Sequence, residues 1–318
     1  DYSTGAEAFL LEPERRNLIQ YSESFTSWNG YQATSNTTTS PSGNSVSFLD
    51  FEDARMFPTV TILNNTEYTS SIYLKANKVA DVRIRNVGSV DKLITLTTEW
   101  VRYEVTATSS STTTNTLLID ARFAQGLGAS GLEIALYGAQ IEQGSYATSY
   151  IPNNGEANGV TRNQELCYDA TPVINSEEGV LYAEIKPNAI ENLQRWISLS
   201  DGTHNNSIKI GFLNSSSDYR IACEVRSGGV NQAFIANNFG AVEPTFAKAA
   251  IKYSENNFAL WINGVQVATD TSGNVPIGLS ELNFTRGDVS QTFFGNTKGL
   301  KYYPKALADV ELQDLTTI

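Results

Sequence analysis

A single histidine limits the catalysis this 318-residue chain could support. Any Ser-His-Asp or Cys-His arrangement must use His204, whose nearest partners are Asp201 and Thr203 in the run Ser200-Asp-Gly-Thr-His-Asn-Asn206. No Gly-x-Ser-x-Gly elbow accompanies it, and Cys167 and Cys223 are remote in sequence, so His204 reads as a solvated loop residue. Glycoside hydrolysis needs two carboxyl groups at a defined separation. Glu177 and Glu178 are adjacent, and in a strand they would face opposite ways, so they read as solvated charges. The Gly-rich stretch 126–131 lacks a following Lys-Ser/Thr and reads as a turn rather than a phosphate cradle. The expectation is a protein that binds or displays and is not an enzyme.

Two groups of hard oxygen donors suit Ca²⁺: Asp201 with Asn205 and Asn206, and Asp50 with Glu52 and Asp53. Solvated loop acids are the competing reading. Two cysteines without CxxC spacing read as small core residues, with a disulfide between them left open. Sugar recognition calls for exposed aromatic faces beside polar side chains, which collect on loops. Trp28 and Tyr31, around Asn29-Gly30, are the candidates in the first half. Tyr219, beside 214–218, and Phe239, in Asn237-Asn-Phe-Gly240, are the candidates in the second. Trp100 opens a strand, and Trp196 and Trp261 alternate with apolar neighbours, so all three read as core.

These residues must be positioned by β structure. Candidate strands fall at 45–51, 56–63, 68–75, 81–86, 100–107, 116–123 and 132–140, separated by Gly-, Asn- and Pro-bearing turns. At 68–75 and 101–107 apolar and polar residues alternate, the pattern of a sheet with one buried face. Periodicity stops in Tyr150-Ile-Pro-Asn-Asn-Gly-Glu-Ala-Asn-Gly159, which marks a domain boundary. Ten further strands follow at 179–186, 195–200, 207–213, 219–225, 232–236, 245–253, 257–262, 265–269, 281–284 and 299–303. The Asn263-Gly264 pair between apolar runs predicts a type I′ hairpin, and 307–315 predicts one helix capping the sandwich. The expected fold is all-β: two tandem antiparallel β-sandwiches (jelly rolls), with a lead-in segment at 1–16 and domains at 17–153 and 154–318.

The formal charge is −12; 16 acidic against 10 basic residues precede Glu156 and 18 against 12 follow from it, so each half carries −6. Neither half offers the basic stripe that nucleic acid requires, and a neutral ligand is favoured over a polyanion. The sequence has no initiator Met, no basic leader and no apolar run near the ~18 residues of a membrane span. A soluble fragment or trimmed chain, without membrane insertion, is expected.

Two pairs of motifs resemble known families. Leu10-Leu-Glu-Pro-Glu-Arg-Arg-Asn-Leu-Ile-Gln-Tyr-Ser-Glu-Ser-Phe25 with Trp28, and Ala139-Gln-Ile-Glu-Gln-Gly-Ser-Tyr-Ala-Thr-Ser-Tyr-Ile-Pro152 with Val160-Thr-Arg162, resemble the bracketing motifs of carbohydrate-binding-module-like jelly rolls in phage virion proteins. Gly179-Val-Leu-Tyr-Ala-Glu-Ile, Phe258-Ala-Leu-Trp-Ile-Asn-Gly and the 299–312 segment resemble the laminin G, concanavalin A-like lectin family. The resemblance implies a virion-surface or otherwise extracellular fibre, tail or head protein. Its implied partners are a surface polysaccharide or glycan receptor, other virion proteins and further copies of itself. A structural decoration module without glycan affinity, and a binding part of a polysaccharide-degrading enzyme, remain alternatives, since architecture transfers more readily than ligand.

Overall fold

The computed structural model describes residues 8–87, 90–110, 112, 117–168, 170–190, 192–213, 219–240 and 245–318. In chain order the first strands are β1 (Phe9–Leu11), β2 (Arg15–Asn17), β3 (Ala33–Thr39), β4 (Ser45–Asp50), β5 (Arg55–Met56), β6 (Glu67–Ala76) and β7 (Ala80–Arg85). They are followed by β8 (Asp91–Leu96), β9 (Val101–Thr108), β10 (Leu118–Asp120), β11 (Glu133–Gln143) and β12 (Val160–Arg162). Then come β13 (Glu178–Pro187), β14 (Gln194–Ser200), β15 (Ser207–Leu213), β16 (Arg220–Ser227) and β17 (Val230–Asn238). The last are β18 (Ala247–Ser254), β19 (Asn257–Ile262), β20 (Val265–Asp270), β21 (Glu281–Asn283) and β22 (Gly295–Tyr303), ahead of helix α1 (Asp309–Thr316). Every pairing between these strands is antiparallel, and the protein is all-β.

Two compact units result: Glu14–Asn163, and Gln164–Ile318 together with the N-terminal segment through Pro13. Within the expected lead-in segment 1–16, the described residues divide between the two units. Its strand β1 pairs with β22 of the second unit, and β2 pairs with β12 in the first. Three-residue strands carry no periodic signal, so their membership is set by distant partners rather than by local pattern.

The first unit packs a sheet of order β3-β4-β11-β6-β9 with one of order β5-β10-β7-β8. Alternation along β6, β7, β8 and β11 sends Ile72, Leu74, Val82, Ile84, Ile94, Leu96, Ile134 and Leu136 into one core. Between Tyr137 and Gln140 the register of β11 against β6 shifts by a bulge. The bulge re-phases the strand, so Ala139 and Ile141 stay in the core while Tyr137, Gln140 and Glu142 share the outer face.

The second unit packs β1-β22-β13-β18-β19-β20 on β17-β16-β15-β14-β21. Its core gathers Leu181, Ile197, Ile210, Phe212, Cys223, Ile251, Phe258 and Leu260, with Leu11 supplied by β1. Asn263 and Gly264 both have positive φ (51° and 80°), as the type I′ turn requires. Helix α1 lays Leu312 over Val180, Tyr182, Ala250, Ala259 and Trp261 on the outer face of the six-stranded sheet. Cys167 and Cys223 are free thiols. Among the described residues no helix is long and apolar enough to cross a membrane.

Candidate functional site

Two of the four aromatic candidates are not surface groups. Trp28 is 5% exposed and stands edge-on to Phe25 (centroids 5.0 Å, 85°) inside the first core. Its loop folds inward because a large indole beside an Asn-Gly turn gains more from burial than from solvent. Tyr219 is 3% exposed, packed between Phe212 (5.8 Å) and Phe239 (5.1 Å, stacked). Burial raises its phenol pKa, and its hydroxyl meets no hydrogen-bond partner among the described residues. The neighbouring 214–218 run lies outside the described residues. Phe239 is half-buried against Tyr219. Tyr31 is exposed and lines a crevice of about 200 Å³ with Glu23, Phe25, Ser45, Ser47 and Leu136.

The acidic side chains of both oxygen-donor groups accept hydrogen bonds from the protein itself. Asp201 Oδ1 accepts from Thr203 N (3.0 Å) and Oγ1 (2.6 Å), and Oδ2 from Asn206 Nδ2 (2.9 Å). Asn206 Oδ1 accepts from Gly228 N, and Asn205 is exposed. In the first unit Asp50, Glu52 and Asp53 accept separately from Glu52 N, from Gly131 N with Ser130 Oγ, and from Phe123 N. Among the described residues no three His, Cys, Asp or Glu side chains converge as a metal-holding group.

His204 is not a solvated loop residue. Its Nδ1 lies 3.0 Å from Nζ of Lys209, a fully buried lysine that pairs with Glu224 (2.8 Å) and lies over the Trp196 ring. Burial first, then the Lys209 charge, pushes the His204 pKa down to about 4; burial pushes Lys209 down to about 8. At neutral pH the imidazole is thus neutral and accepts from the ammonium. The segment after β21 covers this face: Trp196 donates its Nε1–H to Gln291 Oε1 (3.0 Å). Arg286 pairs with Asp288 in the same segment. A cleft of about 420 Å³ beside it is lined by Asn192, Leu193, Gln194, Arg195, Leu213 and Gln291, without an aromatic ring.

Aromatic rings converge instead on the outer face of the five-stranded sheet in the first unit. Tyr137 on β11 is register-paired with Tyr73 on β6, and Tyr73 with Arg102 on β9. The three therefore form one row across adjacent strands, with Tyr73–Tyr137 centroids 5.9 Å apart and the Arg102 guanidinium 5.6 Å from the Tyr73 ring. Tyr150 extends the row (5.5 Å from Tyr137), and its hydroxyl donates to Glu23 Oε1 at 2.9 Å. In a flat sheet the outermost of five strands lie roughly 19 Å apart. Yet Trp100, just before β9, packs edge-on to Tyr137 and donates its Nε1–H to the carbonyl of Thr39 on β3 at 2.7 Å. The sheet is therefore curled, and this face is concave. Tyr137 forms its buried floor, with Tyr73, Trp100 and Tyr150 half-buried around it. Burial raises the phenol pKa values of Tyr137 and Tyr150, so both are neutral donors. Gly138, at φ 62° in the bulge, leaves room for them; a Cβ there would come within 3.2 Å of Tyr73 Cδ2 and 3.5 Å of the Tyr150 ring.

No protein-family model matches the chain, and no curated protein matches it. Among solved structures it is similar to the CBM40 module of a Ruminococcus gnavus IT-sialidase (20% identity, 44% of this chain and 83% of that one, TM-score 0.38). It is also similar to a SAP-like pentraxin from Limulus polyphemus (12%, 45% and 70%, TM-score 0.34) and to domains LG4-5 of the mouse laminin α1 chain (8%, 92% and 96%, TM-score 0.25).

Next to the aromatic row the bracketing motifs form a clamp. Asn17 is fully buried and uses its whole amide: Nδ2 donates to the Ala139 and Ile151 carbonyls, and Oδ1 accepts from Ile19 N and Ile141 N. Glu142, also fully buried, accepts from Gln140 Nε2, Thr148 N and Thr148 Oγ1, with Arg15 3.8 Å away. These motif residues hold β2 and the 145–153 segment onto β11. Tyr73, Arg102 and Tyr137 are not singled out by sequence because strand residues with polar neighbours look half-buried in any sheet, and Trp100, expected in the core, instead lies half-buried against Tyr137 on this face. The usable signal was Tyr73 and Tyr137 at outward positions of two central strands, each facing away from an apolar alternation.

Proposed function

We propose that the first sandwich binds carbohydrate on this concave face, without catalysis. The observation that supports the reading is the row Arg102–Tyr73–Tyr137–Tyr150 with Trp100 beside it: ring faces for apolar C–H patches of a sugar, bordered by hydroxyl, guanidinium and carboxylate groups for its hydroxyls. Glycan-array binding by the intact protein, lost in Trp100→Ala and Tyr73→Ala variants that melt like the parent, is the expected result. Binding unaffected by both substitutions overturns the reading.

Recognition of a host glycan receptor on a virion surface, alongside other virion proteins, extends this proposal. The resemblance of the two bracketing motifs to phage jelly rolls supports it. Immunogold labelling of particles is expected to decorate their exterior, and bare particles contradict it.

A further inference from the structure

We infer that the saccharide taken by this face carries a carboxylate, as a uronic or sialic acid residue does, and that Arg102, with Lys75 beside it, reads that group. The inference rests on the carbohydrate-binding reading and specifies its ligand class. Acidic residues outnumber basic ones by 34 to 22 in this chain. Many cations accordingly have carboxylate partners: Arg15 with Glu142, Arg85 with Asp91, Arg122 with Asp120, Lys209 with Glu224, and Lys252 with Asp309. Arg102 has none within ion-pair distance among the described residues, although it is half-buried.

Its surroundings hold the guanidinium still without neutralising it. Nη2 donates to Ser71 Oγ at 2.8 Å, the plane lies over the Tyr73 ring, and Nε is buried without a partner among the described residues. Nη1 is committed to no described residue, so the fork retains donors for a planar oxyanion. Lys75 lies two residues beyond Tyr73 on β6, hence on the same face, and also makes no ion pair with a described residue. Two nearby carboxylates are otherwise engaged. Glu23 is bonded to Tyr150 at the far end of the row, and Glu142 is buried in the clamp. Glu104, the next outward residue on β9, is exposed to solvent and forms no ion pair with Arg102. A partly desolvated cation without a counter-charge is costly unless a ligand supplies one. A single sugar carboxylate does so without the extended basic stripe that a polyanion would need.

The test is an array carrying uronic-acid, sialic-acid and neutral glycans, probed with the intact protein, followed by titration of the strongest acidic glycan and its carboxyl-reduced form. The expected result is binding of the acidic form at least tenfold tighter than the reduced one. Arg102→Gln is expected to abolish that preference, whereas Trp100→Ala weakens both forms. The acidic classes that bind distinguish uronate from sialate. Equal binding of acidic and reduced forms, or hits confined to neutral glycans, overturns the inference while leaving carbohydrate binding standing; no hits at all contradicts both. The ligand-side comparison needs no variant, so it holds even if Arg102→Gln fails to fold.

Discussion

At the scale of single residues, the polar groups buried in each sandwich make opposite demands on solvent. Asn17 saturates both ends of its amide against four backbone groups, so Asn17→Ala strands two carbonyls and two N–H groups. A loss of about 3 kcal/mol is expected, measured by urea unfolding. Asn17→Asp is expected not to rescue it, because a carboxylate oxygen would face the Ala139 and Ile151 carbonyls. His204 behaves differently. Its folded pKa is about 4, below the ordinary value of about 6.5. Between those values the unfolded chain binds more protons, so this group lowers stability as pH falls through that window. His204→Gln is therefore expected to gain stability relative to the parent between pH 6.5 and 4, read from paired melts. A difference independent of pH contradicts it. Neither role was legible in the sequence, where His204 sits in a polar run that looks solvated. Its environment comes from Lys209 on β15 and Glu224 on β16, whose polar side chains interrupt otherwise apolar strands.

Secondary-structure elements were legible wherever local chemistry determines them. Strand β19 and the Asn263-Gly264 hairpin were readable because alternation and positive-φ residues are properties of a few neighbouring positions. The predicted run 56–63 forms a strand only at Arg55–Met56, and the Thr-rich β3 went unread because its seven residues contain no apolar alternation. Both lie at sheet edges, where partners rather than pattern decide. The aromatic row escaped for a related reason: sequence places Tyr73, Arg102 and Tyr137 on separate strands, and only strand register brings them into line. Helix α1, expected at 307–315, forms at Asp309–Thr316 and covers a small cluster with Leu312. Leu312→Ala is expected to cost about 2–3 kcal/mol and to quench or shift the emission of Trp261 beneath it. Unchanged stability would show that the helix is not holding the sheet face.

At the scale of the whole molecule, the chain builds two cores of its own rather than one, and the N-terminal strand belongs to the second. Calorimetry is expected to resolve two transitions, with Asn17→Ala lowering one and Leu312→Ala the other. Deleting residues through Leu11 is expected to lower the transition that Leu312→Ala lowers, because Leu11 packs in that core. A shift in the other transition would reassign β1. Net charge of −12 keeps the surface repulsive to phosphate polymers, so the proposed ligand discrimination rests on the local geometry of one concave face. That face is tested most directly by isothermal titration of the best array glycan into the parent protein and Trp100→Ala. Saturable heat in the parent, weakened at least tenfold in a variant with unchanged melting, is the predicted result. Equal affinity in both proteins would contradict the assignment of the binding face.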